Sequence, residues 1–115
     1  MPKNRYLLAL IIATASGCAS TPVREDVYGG KYFYNFETAA FTPKGSSEQW
    51  CVDSVKLKDA EVPANGSPAG RWGVADVVVR GTLSPEGKYC NLGAYKRFLD
   101  VTEVIGISNK LRVSP

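Results

Sequence analysis

The chain has 115 residues, 14 of them lysine or arginine and 11 aspartate or glutamate, for a formal net charge of +3. That length supports one domain with one core and excludes two. There is no histidine, so the commonest general base is missing, and the small net charge does not mark a binder of polyanions.

The first predicted element is a leader. Lys3 and Arg5 form a positive front, Leu7 to Ala13 an apolar middle, and Ala15, Ser16 and Gly17 a small-residue end just before Cys18. That order is the layout of a secretory signal peptide. The apolar run is well short of the roughly 20 residues that a membrane-spanning helix needs. The run Ala15-Ser16-Gly17-Cys18 resembles the lipobox of bacterial lipoproteins. The resemblance implies that diacylglycerol is joined to the Cys18 thiol and that a peptidase cuts before it, so the mature protein is anchored in the membrane through its N-terminal lipid. Ala19 follows, and it is not aspartate. By the sorting rules of enterobacterial lipoproteins, that implies delivery to the periplasmic face of the outer membrane. Three acyl chains, as in that family, hold a protein firmly where one holds it only marginally.

On this reading residues 1–17 are the signal peptide, 18–27 a polar tether and 28–115 the folded domain. Loss of Lys3 and Arg5 with the leader leaves a mature charge of about +1, so most of the basic excess belongs to the leader. Two cysteines remain in the body, Cys51 and Cys90. An oxidising compartment favours joining them. The closed loop of about 40 residues then contributes roughly 4 kcal/mol in the chain-entropy model. The alternatives are two free buried thiols or half of a metal site. The absence of histidine and of a C-x-x-C spacing argues against metal, and no cofactor is expected.

The body reads as strands separated by turns. Tyr32, Tyr34 and Phe36 alternate with Phe33, Asn35 and Glu37, which predicts an aromatic strand. Ala39 and Ala40 break the alternation and predict a bulge or bend, and residues 42–47 a turn. Residues 48–53 predict a short strand with Trp50 and Val52 on one face. Residues 54–62 fit neither period, and a short helical turn or irregular segment is expected. Residues 63–70 are a loop by composition. Val77, Val78 and Val79 are consecutive and β-branched, predicting a strand over 72–83 covered on both faces. Residues 84–87 are a turn, and 88–97 an ordered loop. The last strand, 98–108, places Leu99, Val101, Ile105 and Ile107 on one face, with Glu103 awkwardly among them.

Four or five strands and at most one short helix predict a small all-β domain, with a five-stranded OB-like barrel as first choice and an open sandwich as second. Residues 32–45 are also similar to the start of the OB-like C-terminal domain of NlpE-type envelope-stress lipoproteins. The resemblance implies a barrel on a lipid anchor. The C-x-x-C of that family's other domain is missing here, so its sensing chemistry does not carry over.

For chemistry, Asp53 with Asp59 or Glu61 is the one formal carboxylate pair, and carboxylates at this spacing are ordinarily solvated. The segments 28–32 and 91–95 lack the strand–loop–helix context of a phosphate loop. Lys31, Tyr32, Phe33, Tyr34 and Arg80 could imitate a base-stacking groove, but aromatic residues in strands more often pack the core, and no nucleic acid is expected. The candidate binding surface is the loop carrying Tyr89, Tyr95, Lys96 and Arg97, which a Cys51–Cys90 link would hold rigid. The expected function is a non-catalytic binding or accessory module of the bacterial envelope, with an envelope protein or peptidoglycan as partner. The alternative is an envelope-stress sensor or an inhibitor of a periplasmic enzyme.

Overall fold

The structure is a computed structural model and describes residues 24–66, 68 and 70–113. The leader, Cys18 and the tether up to residue 23 lie outside the described residues. Five strands carry the fold: β1 (Asp26–Tyr34), β2 (Ala39–Pro43), β3 (Trp50–Val52), β4 (Gly73–Leu83) and β5 (Phe98–Arg112). Pairing runs β1-β2-β3-β5-β4 and returns to β1, a closed barrel. All neighbours are antiparallel except β3 and β5, which are parallel. The circuit closes through a short contact, in which β3 meets β5 only at Cys51 with Phe98 and Val52 with Leu99.

The bend expected at Ala39 and Ala40 comes earlier and is a full reversal, with both alanines already in β2. The Asn35 side chain accepts hydrogen bonds from the backbone of Glu37 (2.8 Å) and Thr38 (2.9 Å) and folds the chain back. One expected strand is therefore the hairpin β1–β2, in which Tyr32 lies opposite Phe41 and Phe33 opposite Ala40. The sheet also begins at Asp26, so the last two residues assigned to the tether belong to β1. Gly30 in this hairpin cannot be replaced: a Cβ there would strike the Thr42 carbonyl and the Phe41 ring.

Tyr32, Tyr34, Phe41 and Leu99 are fully buried, with Trp50, Leu57, Val77, Val79 and Val101 around them. Tyr32 stacks on Tyr34 at 5.2 Å between ring centres, and Phe41 on Trp50 at 5.8 Å. Tyr32 and Tyr34 of β1 thus pack the core, with Tyr28 against it, whereas Phe33 is half-buried outside it. In β4, Val77 and Val79 point inward, but Val78 is exposed, so this strand is covered on one face only. The outer face is open here because no layer packs over the barrel at Val78.

Strand β5 departs from simple alternation. Its pairing with β4 shifts register three times, between Val74 and Asp76, between Val78 and Val79, and between Arg80 and Gly81. Each extra residue resets which side chains face inward. Val104 and Ile107 pack against the core, whereas Ile105 is exposed. The same shift turns Glu103 outward, 3.1 Å from Arg80.

Candidate functional site

Two long connections leave the barrel. Residues 53–72 join β3 to β4, and residues 84–97 join β4 to β5. The first opens with a 3-10 helix, Ser54–Ala60, whose cap is Asp53: its carboxylate accepts from the Val55 amide at 3.0 Å. Leu57 and Ala60 of this helix are buried in the core. Glu61 then receives two hydrogen bonds from Arg71, at 2.8 and 2.7 Å, and one from the Tyr32 hydroxyl at 2.7 Å. Arg71 also donates to the Asn35 carbonyl and lies 5.3 Å from the centre of the Tyr34 ring. The Tyr34 hydroxyl accepts from the Val62 amide at 2.7 Å. Each buried hydroxyl is therefore satisfied, where an orphan would cost about 1–3 kcal/mol.

Burial alone would raise the Glu61 carboxyl, but the Arg71 and Tyr32 hydrogen bonds and the Arg71 charge outweigh it and hold it below its usual range. Burial, with the neighbouring Glu61, pushes the Tyr32 hydroxyl far above its usual value. Asp53 caps a helix and Glu61 is clamped by an arginine. Of the formal carboxylate pairs, Asp53 with Glu61 is thus two separately employed groups.

The second connection is built differently. Cys51 of β3 and Cys90 are joined in a disulfide, with their Cα atoms 6.5 Å apart. Tyr89 and Tyr95 exchange backbone hydrogen bonds of 2.9 and 3.2 Å, forming a small bridge that the sequence pattern does not show. Between them is one 3-10 turn, Asn91–Gly93. Cys90 (φ 57°, ψ −159°) and Leu92 (φ 54°, ψ 27°) both have left-handed backbone. For residues with side chains such conformations cost of order 1–3 kcal/mol each and persist only when their surroundings impose them. Here the disulfide and the tyrosine bridge impose them. They push Leu92 out of the molecule: it is fully exposed (105 %) at the tip.

Of the four residues expected to bind, three are employed internally. The Tyr89 hydroxyl donates to the Pro85 carbonyl at 2.8 Å, and the Tyr95 hydroxyl lies 2.8 Å from the Thr38 hydroxyl in the β1–β2 turn. Arg97 donates to the Ser84 carbonyl at 2.9 Å and lies 3.8 Å from Glu86. Lys96 is exposed. The tyrosines and Arg97 brace the loop, and beside Lys96 the exposed apolar side chains at this end are Leu92 and, in the neighbouring turn, Phe36, which is 67 % exposed.

Two hollows flank the loop. One of about 330 Å³ lies among Phe36, Thr38, Asp53, Arg71, Cys90 and Asn91. Another of about 590 Å³ lies between residues 46–49 and Ala94, Tyr95 and Lys96. No sequence signal marks Leu92 or Phe36. Phe36 continues an alternation that looks like strand, and Leu92 is apolar in a segment without period. Compared with protein families, curated proteins and solved structures, the chain matches none.

Proposed function

We propose that the protein is a lipid-anchored, non-catalytic binding module of the bacterial envelope. Its domain is an OB-like barrel held by Cys18 to the periplasmic face of the outer membrane. It contacts an envelope protein or peptidoglycan through the end of the barrel where the loop 88–97 and the β1–β2 turn meet. The observation that carries the reading is Leu92, an apolar side chain held wholly in solvent at the tip of a loop fastened by a disulfide. Burying such a side chain in a partner yields about 1.5–3 kcal/mol, and little ordering entropy is lost because the loop is already fixed. The strand order, with parallel β3 and β5 completing the circuit, supports the OB-like assignment. The Cys51–Cys90 link suits an oxidising compartment, and the run Ala15 to Cys18 supports the anchor.

The test is chemical cross-linking in intact envelopes, followed by purification of the protein and identification of what comes with it. A discrete envelope protein or peptidoglycan fragment is expected, lost on Leu92→Ser and kept on the control Lys110→Ser. Equal recovery with Leu92→Ser would remove the loop from the reading. Palmitate labelling that survives Cys18→Ala would remove the anchor. A recovered enzyme whose activity falls when the protein is added back would turn the reading to inhibition.

A further inference from the structure

A different face of the barrel carries a pattern that the loop does not explain. On the outside of β1, β4 and β5 three rows of residues cross the strands. The middle row is Gly29, Val78 and Gly106. The row on one side is Lys31, Asp76 and Ser108, and on the other Val27, Arg80 and Glu103. The middle row and its first neighbour line a hollow of about 720 Å³, with Thr42, Pro43 and Lys44 at its far wall. Val27, Val78 and Ile105 are exposed on this face.

The glycines of the middle row are not demanded by the fold. A Cβ on Gly106 would meet no atom within 4 Å, and one on Gly29 only the Val78 methyl at 3.9 Å. Neither has the left-handed backbone that favours glycine. Gly30, Gly73 and Gly81, in contrast, lie against backbone or ring atoms that forbid a side chain. Two strand glycines with free space outside them weaken a strand for no internal return. They leave a dip on each side of the Val78 knob.

We propose that this face pairs with a second copy of the same chain. The pattern is self-complementary. A twofold axis lying along the strands, between β4 and β5, lays Val78 of one copy over the Gly106 dip of the other, and the reverse. The same operation lays Arg80 over the second copy's Glu103 and Glu103 over its Arg80, so the 3.1 Å pair within each copy becomes part of a four-charge ring. Asp76 comes to lie over Ser108, a hydroxyl donor. Because the axis runs along the strands, both β1 strands begin at the same end of the pair, as two chains tethered to one membrane require. The patch is roughly 15 by 17 Å on strand dimensions. That is well under the ~800 Å² per partner of stable complexes, so the pair is weak in dilute solution and forms where the chains are concentrated. The loop leaves the end of the barrel between β4 and β5 and is fastened to β3, and none of the three rows includes a loop residue.

The experiment places a photoreactive benzoylphenylalanine at Ser108 of the full chain in its own membranes and identifies adducts by mass spectrometry. A self-adduct joining two copies is expected. Gly106→Leu fills the dip and should lower its yield about tenfold, which corresponds to about 1.4 kcal/mol, with an unchanged thermal melt. Arg80→Glu should lower the yield, and Arg80→Glu with Glu103→Arg should restore it. Adducts only to another protein or to lipid, no adduct at all, or a self-adduct indifferent to Gly106→Leu and to charge reversal would each overturn the pairing. The concentration of chains on a membrane rests on the proposed Cys18 anchor, which palmitate labelling tests by itself, and none of these readouts uses the loop, so failure of the pairing is distinguishable from failure of either.

Discussion

The connections 53–72 and 84–97 are both long excursions from a small barrel, yet they hold their places by opposite means. The first buries Leu57 and Ala60, locks Glu61 under Arg71 and the Tyr32 hydroxyl, and holds the Val62 amide on the Tyr34 hydroxyl. The second contributes no fully buried residue; a disulfide and one two-residue bridge fasten it, and its tip carries a bare leucine. A connection that packs into the core is part of the fold and stabilises it. A connection fixed covalently while its apolar side chain stays in water stabilises the fold through the link and a few hydrogen bonds, such as Tyr95 to Thr38.

The largest effect expected is on that link. Cys51→Ser with Cys90→Ser opens a loop with a sequence separation of 39, and the chain-entropy model gives a loss of about 4 kcal/mol. Some of it should be returned by relaxation of the Cys90 backbone, so denaturant titration should read less than the full value. A loss below about 0.5 kcal/mol would mean that packing holds the loop, and the contrast between the two connections would collapse. Leu57→Ala follows. It removes a fully buried side chain from the first connection and should cost about 3 kcal/mol. A loss below about 1 kcal/mol by the same measurement would show that the 3-10 helix merely lies over the barrel.

How much of this the residues announce depends on which force sets each feature. Strand β4 was legible because its valines state a burial preference locally. The short strand at Trp50 and Cys51 followed from composition, and the pairing of the two cysteines from their number and the oxidising compartment that the leader predicts. The hairpin was not legible as such, since the turn is made by the Asn35 side chain inside an alternation that continues to Phe36. The inward set of β5 was misread from Thr102 onward, because each bulge exchanges the two faces and only the partner strand fixes where a bulge falls. The 3-10 helix has neither a helical nor a strand period, so residues 54–62 gave no pattern. For the loop, the sequence does not show the internal hydrogen bonds of its side chains. Tyr89, Tyr95 and Arg97 look like contact residues, but their hydroxyls and guanidinium find partners that only the folded chain brings near.

Acid sharpens the contrast more gently. The Glu61 carboxyl is held below its usual value in the fold. A depressed carboxyl contributes stability that is present above its unfolded pKa, about 4.3, and is lost as pH falls through the lower folded value. Stability of the native chain should therefore decline below about pH 4.5. Glu61→Gln should be less stable at neutral pH and decline less steeply in that range. Asp76 is also held low, by Asn109 and Lys31, so the variant should retain a shallow acid slope. An unaltered slope in Glu61→Gln would show that the first connection is not clamped by charge.

The smallest effect on stability belongs to Leu92, and it separates the two connections most sharply. A leucine wholly in solvent makes no packing contribution, so Leu92→Ser should leave the melt within about 0.5 kcal/mol of the native chain. Leu92→Gly, at a residue with φ of 54°, should raise stability slightly by relieving the left-handed strain. If serine were clearly destabilising, the side chain would be packing somewhere and would not be offered to a partner. If both variants fold as expected and Leu92→Ser loses the cross-linked partner, then an exposed apolar residue in a strained backbone is retained at a small cost to the monomer. Binding is the process that recovers that cost, because only in a partner's pocket does the leucine leave water.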